Sequence, residues 1–310
     1  MPEKYHIHAD DQPDCFNSHM GTWLIQPTWI NSAVEAIRAG LPMPQAAIER
    51  SSASDEEKLY QVIEGLAIID ISGPMMKKQS KFGSNASTIL IRRQLREAAV
   101  DEDVSKIMLR VTSPGGHVAG TQELSDEVIR VNAIKPIIAQ VEDMCASAAL
   151  WVASQASEIY ANQLSEVGSI GVVAVLHDTS KLYAREGVKV HVVSTGDLKG
   201  AGTPGTEITD EVIASVQEKV DAINEVFTDA IATGRELSKE DVDDMATGDT
   251  FMAEKALELG LIDGIQTTDA TVELLIKQIS EERSAQSSSK TSKMRFLSAQ
   301  RRRLEMSAKL

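Results

Sequence analysis

The chain is poor in cysteine and in aromatic residues, with two cysteines, Cys15 and Cys145, and 4% Phe, Trp and Tyr among 310 residues. Two widely separated thiols exclude a disulfide framework, and neither belongs to a cluster with metal-ligand spacing, so a reduced compartment and a site without metal or cofactor are expected. No stretch approaches the roughly 18 to 20 apolar residues of a membrane span, and the polar start "MPEKYHIHADDQPDC" does not read as a secretory signal. A soluble protein without a membrane span, located in the cytoplasm, is the expectation. Positive charge is also scarce: the net charge of −15 argues against a general nucleic-acid binder. The exception is Lys290 to Leu310, where seven Lys/Arg stand against one acid (+6) and leave −21 on the first 289 residues. That basic tail suits an acidic partner, nucleic acid or the chain's own body, or is simply a solvated end.

What is present, 42% apolar and 25% charged residues, suffices for one large domain with appendages. Residues 1–60 read as an arm, with an amphipathic helix in "TWINSAVEAIRAG" and a polar linker in "ERSSASDEEK". From about residue 61 to 270, short apolar runs alternate with helical stretches. "LAIIDISG", "KIMLRVTSPGG", "PIIAQVEDM", "EIYAN", "SIGVVAVL" and "VKVHVVST" read as strands, and "STILIRRQLREAAV", "TQELSDEVIRVNA", "SAALWVASQA" and "TSKLYAREG" as helices. The alternation predicts an α/β core with a parallel sheet built from βαβ units. A long helix, "DEVIASVQEKVDAINEVFTDAIATGR", and the helix-turn segment "FMAEKALELGLIDGI" complete the domain. Residues 271–310 read as a helical end and, beyond about Glu282, a flexible Ser/Lys-rich tail.

Three features fall at predicted strand ends, where open α/β sheets keep their sites. In "SPGGHVAG" the strand ends in glycines that allow positive φ and close backbone approach, leaving the N–H of Gly115 or Gly116 able to face an oxyanion; a tight βα turn is the plainer reading. In "MCASAALWVASQ" Ser147 opens a helix among small residues, with the N–H of Ala148 as a second oxyanion donor. Its plainer reading is a helix cap. In "STGDLKGAGTP" Lys199 lies among small residues that can desolvate it into a base, and Ser169 in "EVGSIG" can orient its amine, although loop lysines are usually just solvated. Histidine is the alternative base. His177, beside Asp178, and His191 both follow Ser147, so a Ser/His/Asp triad stays open; His191 reads better as a packed strand residue and His117 as a residue at the site's rim. His6, His8 and His19 match no metal-ligand pattern.

"SPGG", "CASAALWVASQA", "VGSIGVVAV", "STGDLKGAGTP" and "ATGDTFMAEKALELGLIDGI" occur in the order and spacing of the SppA (signal peptide peptidase) family of serine proteases, relatives of ClpP and the crotonases, and the chain resembles that family over roughly residues 62 to 268. The resemblance implies a ClpP/crotonase-like fold and a Ser/Lys dyad, with Ser147 as nucleophile, Lys199 as general base, Ser169 holding the lysine amine, and the N–H groups of Gly115 and Ala148 forming the oxyanion hole. It implies peptide hydrolysis through an acyl-enzyme with activity rising with pH, and homo-oligomeric rings in which serine and lysine come from neighbouring subunits. "GTWLIQPTWINSAVEAI", "EDMCASAALWVASQA" and "KGAGTPGTEITDE" look more like the branch found in tailed phages, whose members cleave scaffold or capsid proteins during head maturation. Two other readings stand beside it: a soluble cellular peptidase of the same family, degrading peptides or signal peptides, and an inactive assembly factor. A crotonase-like acyl-CoA enzyme gives the Ser147/Lys199 pair no role.

Overall fold

A computed structural model describes residues 58–79 and 85–285, together with the backbone of 23–25. The predicted arm helix and the basic tail lie outside these residues. Strands Trp23–Ile25 (β1), Gln61–Ile63 (β2), Leu66–Ser72 (β3), Met75–Met76 (β4), Ala86–Ser87 (β5), Lys106–Ser113 (β6), Gly115–His117 (β7), Ile137–Ala146 (β8), Glu158–Ala161 (β9), Glu166–Gly168 (β10), Thr250–Met252 (β11) and Gly264–Ile265 (β12) form two sheets among the described residues. The larger runs β11-β10-β8-β6-β3-β2, with β9 beside the first half of β8 and β12 beside β9. Its inner pairs β3–β6, β6–β8 and β8–β10 are parallel, as the alternation predicts, while β2 and β11 close the edges antiparallel. The smaller sheet has the order β1-β7-β4-β5.

Parallel strands buried on both faces carry near-continuous apolar runs, and β3, β6 and β8 do so. Their alternation divides the core. Ala67, Ile69, Ile71, Leu109 and Val111 point into the main core, beneath helices Thr88–Val100 (α1) and Thr121–Asn132 (α2), whose stripes are Ile91/Leu95/Ala98 and Leu124/Val128/Val131. Leu66, Ile68, Met108 and Ile138 face the opposite side, where a helix over 268–285 lays down Leu275 and Ile279. The Ser87 hydroxyl starts α1 by accepting the N–H of Leu90, as N-caps do.

Short helix Ala148–Ala153 (α3) is wholly buried and sits against the long helix Asp210–Arg235 (α5). The rings of Trp151 and Phe227 stack there at 5.1 Å with 11° between planes. Phe227→Ala removes a fully buried side chain from this contact, and we expect a loss of about 3–5 kcal/mol in urea denaturation. Helices Lys239–Met245 (α6) and Ala253–Glu258 (α7) complete this side.

Two predicted strands are not formed. "SIGVVAVL" carries a single bridge residue at Val173, and "VKVHVVST" has no strand at all; between them only helix Ser180–Arg185 (α4) is regular. Among the described residues neither segment meets a ladder, and an extended segment becomes a strand only when its N–H and C=O groups find one. Residues 171–200 leave the sheet instead, with Val175, Leu182, Val188 and Val193 exposed, the last at 97%. Short β10, conversely, is a strand where "SEVGS" gave no apolar run to read.

Candidate active site

Register assembles the site. Ser113 of β6 pairs with Cys145 of β8, and Ala146 of β8 with Gly168 of β10. Gly115, Ser147 and Ser169, which lie just beyond these pairs, therefore gather at the carboxyl ends of three adjacent strands. Gly116 follows in β7, and α3, with Ala148 as its first residue, packs beside that strand.

Ser147 occupies the cap position of α3 but does not act as a cap: its side chain accepts no helix N–H. Its backbone is at φ 53°, ψ −117°, a conformation that residues with a β-carbon rarely hold and that costs on the order of 1–3 kcal/mol. The Gly168 carbonyl keeps it there by accepting the Ser147 N–H at 2.8 Å, while the Ser147 carbonyl accepts the N–H of Trp151 at 3.0 Å. The hydroxyl, on a residue only 1% exposed, donates to the Gly171 carbonyl at 3.4 Å. Such a turn presents a hydroxyl at the mouth of a helix instead of folding it back onto the backbone. Ala148, at the first helical position, has no intrahelical acceptor for its N–H.

Ser169 is buried and also has positive φ, 51°. A turn preceding β11 clamps it: Asp249 O accepts the Ser169 N–H at 2.6 Å and Ile170 O accepts the Gly248 N–H at 3.1 Å. Sequence reading included "ATGDT" in the family pattern without giving it this task. Gly115 has φ 94°, which glycine alone adopts easily. Its N–H donates to Ser113 Oγ at 3.3 Å, and that hydroxyl donates in turn to Gly73 O at 2.7 Å, so Ser113 is a neighbour of the glycine turn that sequence reading missed.

Lys199 is not brought to the serines within one chain. It stands exposed in a turn, its N–H on Gly196 O at 3.1 Å, with no side-chain bond to Ser147 or Ser169 among the described residues. His177 and His191 are exposed in the same excursion. Asp178, the acid of the open triad reading, is engaged in starting α4: the Ser180 hydroxyl and N–H bind its carboxylate and hold it below the usual carboxylate range. His117 accepts the Ala119 N–H at Nδ1 and lies beyond the glycine turn. Burial pushes the Cys145 thiol far up, which makes it an inert core residue beside the serine. Beyond Gly171 an open apolar groove begins, lined by Val172, Ala174 and Leu176 on one side and Ile213, Val216 and Val220 of α5 on the other. Among the described residues no group of His, Cys, Asp and Glu could hold a metal ion, and no helix is long and apolar enough to cross a membrane.

Comparison with known proteins finds peptidases among similar chains. Residues 129–281, which include Ser147, Ser169 and Lys199, match peptidase family S49. Similar curated proteins include capsid assembly protease C of Escherichia phage lambda (29% identical over 252 residues, 78% of this chain) and protease 4 of Haemophilus influenzae (29% over 219 residues, 70% of this chain). Head-tail preconnector protein GP5 of Enterobacteria phage P21 is 28% identical over 217 residues, 69% of this chain. The matched stretches span 57%, 35% and 43% of those proteins' own lengths. The stretch that carries Ser147, Ser169 and Lys199 is thus the one that is similar to peptidase family S49.

Proposed function

We propose that the protein is a serine endopeptidase in which Ser147 attacks the peptide carbonyl and Lys199, from a neighbouring copy of the chain, is the base. The observation that carries this is the strained, non-capping turn at Ser147, set by register between a glycine turn and Ser169. The Lys199 amine takes the Ser147 proton as Oγ bonds to the carbonyl carbon, and the N–H groups of Gly115 and Ala148 hold the resulting oxyanion. For Gly115 this requires its N–H to leave Ser113 Oγ, a long bond that a charged oxygen outcompetes. The C–N bond then breaks as the lysine returns the proton to the leaving amine. Water, deprotonated by the same lysine, attacks the ester, and Ser147 leaves with the proton. Ser169 orients the amine throughout.

Supply of the lysine in trans is supported by the excursion over 171–200. It exposes Leu182, Val188 and Val193 and contains two apolar segments that form no strand among the described residues, features that suit a surface covered by a second copy. The substrate reading rests on the phage relatives: a capsid or scaffold protein cleaved during head assembly. The relatives named protease 4 favour the second reading, a cellular peptidase acting on peptides.

Co-expression with a candidate capsid or scaffold protein tests both. With the wild type we expect discrete fragments by intact mass and none with Ser147→Ala. Cleavage of short peptides but not of the assembled protein would favour the cellular reading, and tight binding without cleavage would leave an assembly factor.

A further inference from the structure

Strand β7 carries the glycine turn into the smaller sheet, and it has two edges. One is taken by β4, where Met75 pairs with Gly116 in parallel register. The other is taken by β1, antiparallel, with Trp23 opposite His117, Leu24 opposite Gly116 and Ile25 opposite Gly115. A peptide whose carbonyl is to reach the Gly115 N–H as an extended strand has only that second edge to lie on. Strand addition is the usual way a peptide docks by its main chain. Its residues on the amino side of the scissile bond would run past Gly116 and His117 in the direction β1 runs, with the residue to be acylated opposite Gly115. The arm strand occupies that place, in that direction and in that register.

We propose that residues Trp23–Ile25 are the resident occupant of the substrate track: an intramolecular strand that holds the acyl side of the site closed until it is displaced. The inference rests on the peptidase reading for what the track does, but not for its occupancy. The arm lies as an inhibitor rather than as a substrate, because the Gly115 N–H is engaged by Ser113 Oγ. Its sequence, Trp-Leu-Ile, also names the chemistry of a competitor: an extended, uncharged, apolar peptide. The tether makes the arm effective, since a linked strand rebinds at the concentration its linker sets and not at its bulk concentration.

The test uses the full chain and two readouts. Leu24→Pro removes an N–H and fixes φ in the middle of β1 without touching β7. If the arm is seated about ten times as often as it is free, this substitution lowers the apparent KM for a peptide substrate roughly tenfold and leaves kcat unchanged. A synthetic peptide of residues 21–27, "GTWLIQP", added in trans should inhibit the Leu24→Pro protein competitively, and the wild type about tenfold less well. The same labelled peptide is then bound, by fluorescence anisotropy, to Ser147→Ala with and without Leu24→Pro. That measurement needs no catalysis, so it separates failure of the arm proposal from failure of the peptidase reading. Equal peptide affinity for the two Ser147→Ala chains would overturn the proposal. So would a Leu24→Pro protein that loses kcat at unchanged KM, which would make β1 a structural strand.

Discussion

Ser147→Ala and Lys199→Ala are each expected to be inactive alone and active when mixed. Loss of the nucleophile should lower kcat/KM by roughly 10⁵ or more, and loss of the base by roughly 10⁴, since groups that act as a unit fail together. If the serine and lysine of one site come from neighbouring copies, unfolding and reassembling the two variants in equal amounts gives every site its serine and its lysine by independent draws. Activity should return to about a quarter of the wild-type level. The expectation rests on the separation of the two residues: within one chain Ser147 is buried at a strand end while Lys199 stands exposed in a turn of the excursion. A mixture that stays dead while each variant still assembles would place both groups in one chain and require the 171–200 segment to fold back over its own serine. A fully active Lys199→Ala protein would remove the lysine from the chemistry altogether.

Gly116→Ala should be nearly as damaging, although it adds one methyl group. A β-carbon at this position would fall on the carbonyl oxygen and amide nitrogen of Met75, backbone atoms of the paired strand β4 that no side-chain adjustment can move aside. Strand β7 would have to part from β4, taking Gly115 with it. A displacement of about 1 Å at an oxyanion donor typically costs on the order of 100-fold in rate, so kcat should fall by at least that much, alongside a lower melting temperature. Gly248→Ala is the control. Its β-carbon meets nothing within 4 Å, so only the strain of φ +81° is felt, and both losses should be smaller. Equal behaviour of the two variants would show that β4 yields more easily than close-packed backbone allows.

The sequence carried most of the sheet because its inner strands are buried on both faces and so read as plain apolar runs. Strand β3, "LAIIDIS", and β8, "IIAQVEDMCA", could hardly be anything else. The same signal misled at "SIGVVAVL" and "VKVHVVST", which are equally apolar but join no ladder among the described residues. Hydrophobicity reports a wish for burial and not who supplies it. At the site, Ser147 was legible only as a choice between cap and nucleophile, because capping depends on φ and ψ, which residue type does not fix. The structure puts the hydroxyl on Gly171 O, away from the helix amides. Ser113 and the turn at Gly248 and Asp249 had no distinguishing signal, since their contributions are a single hydroxyl and two backbone bonds between segments nearly 80 residues apart. The docking of β1 on β7 was beyond reach for the same reason: three residues are too few for a pattern, and their partner is a pair of glycines and a histidine.

The helix over 268–285 runs across the back of the sheet from the end that carries Ser147 to the other. Thr268 bonds Glu142, near the carboxyl end of β8, whereas Glu282 pairs with Lys106, the first residue of β6, and Arg283 reaches the Asp103 carbonyl and Ser105. Strand β6 from Lys106 to Ser113 covers about 20 Å, so the far end of this helix lies at roughly that remove from the nucleophile. A label attached at the end of this helix would therefore stand clear of Ser147.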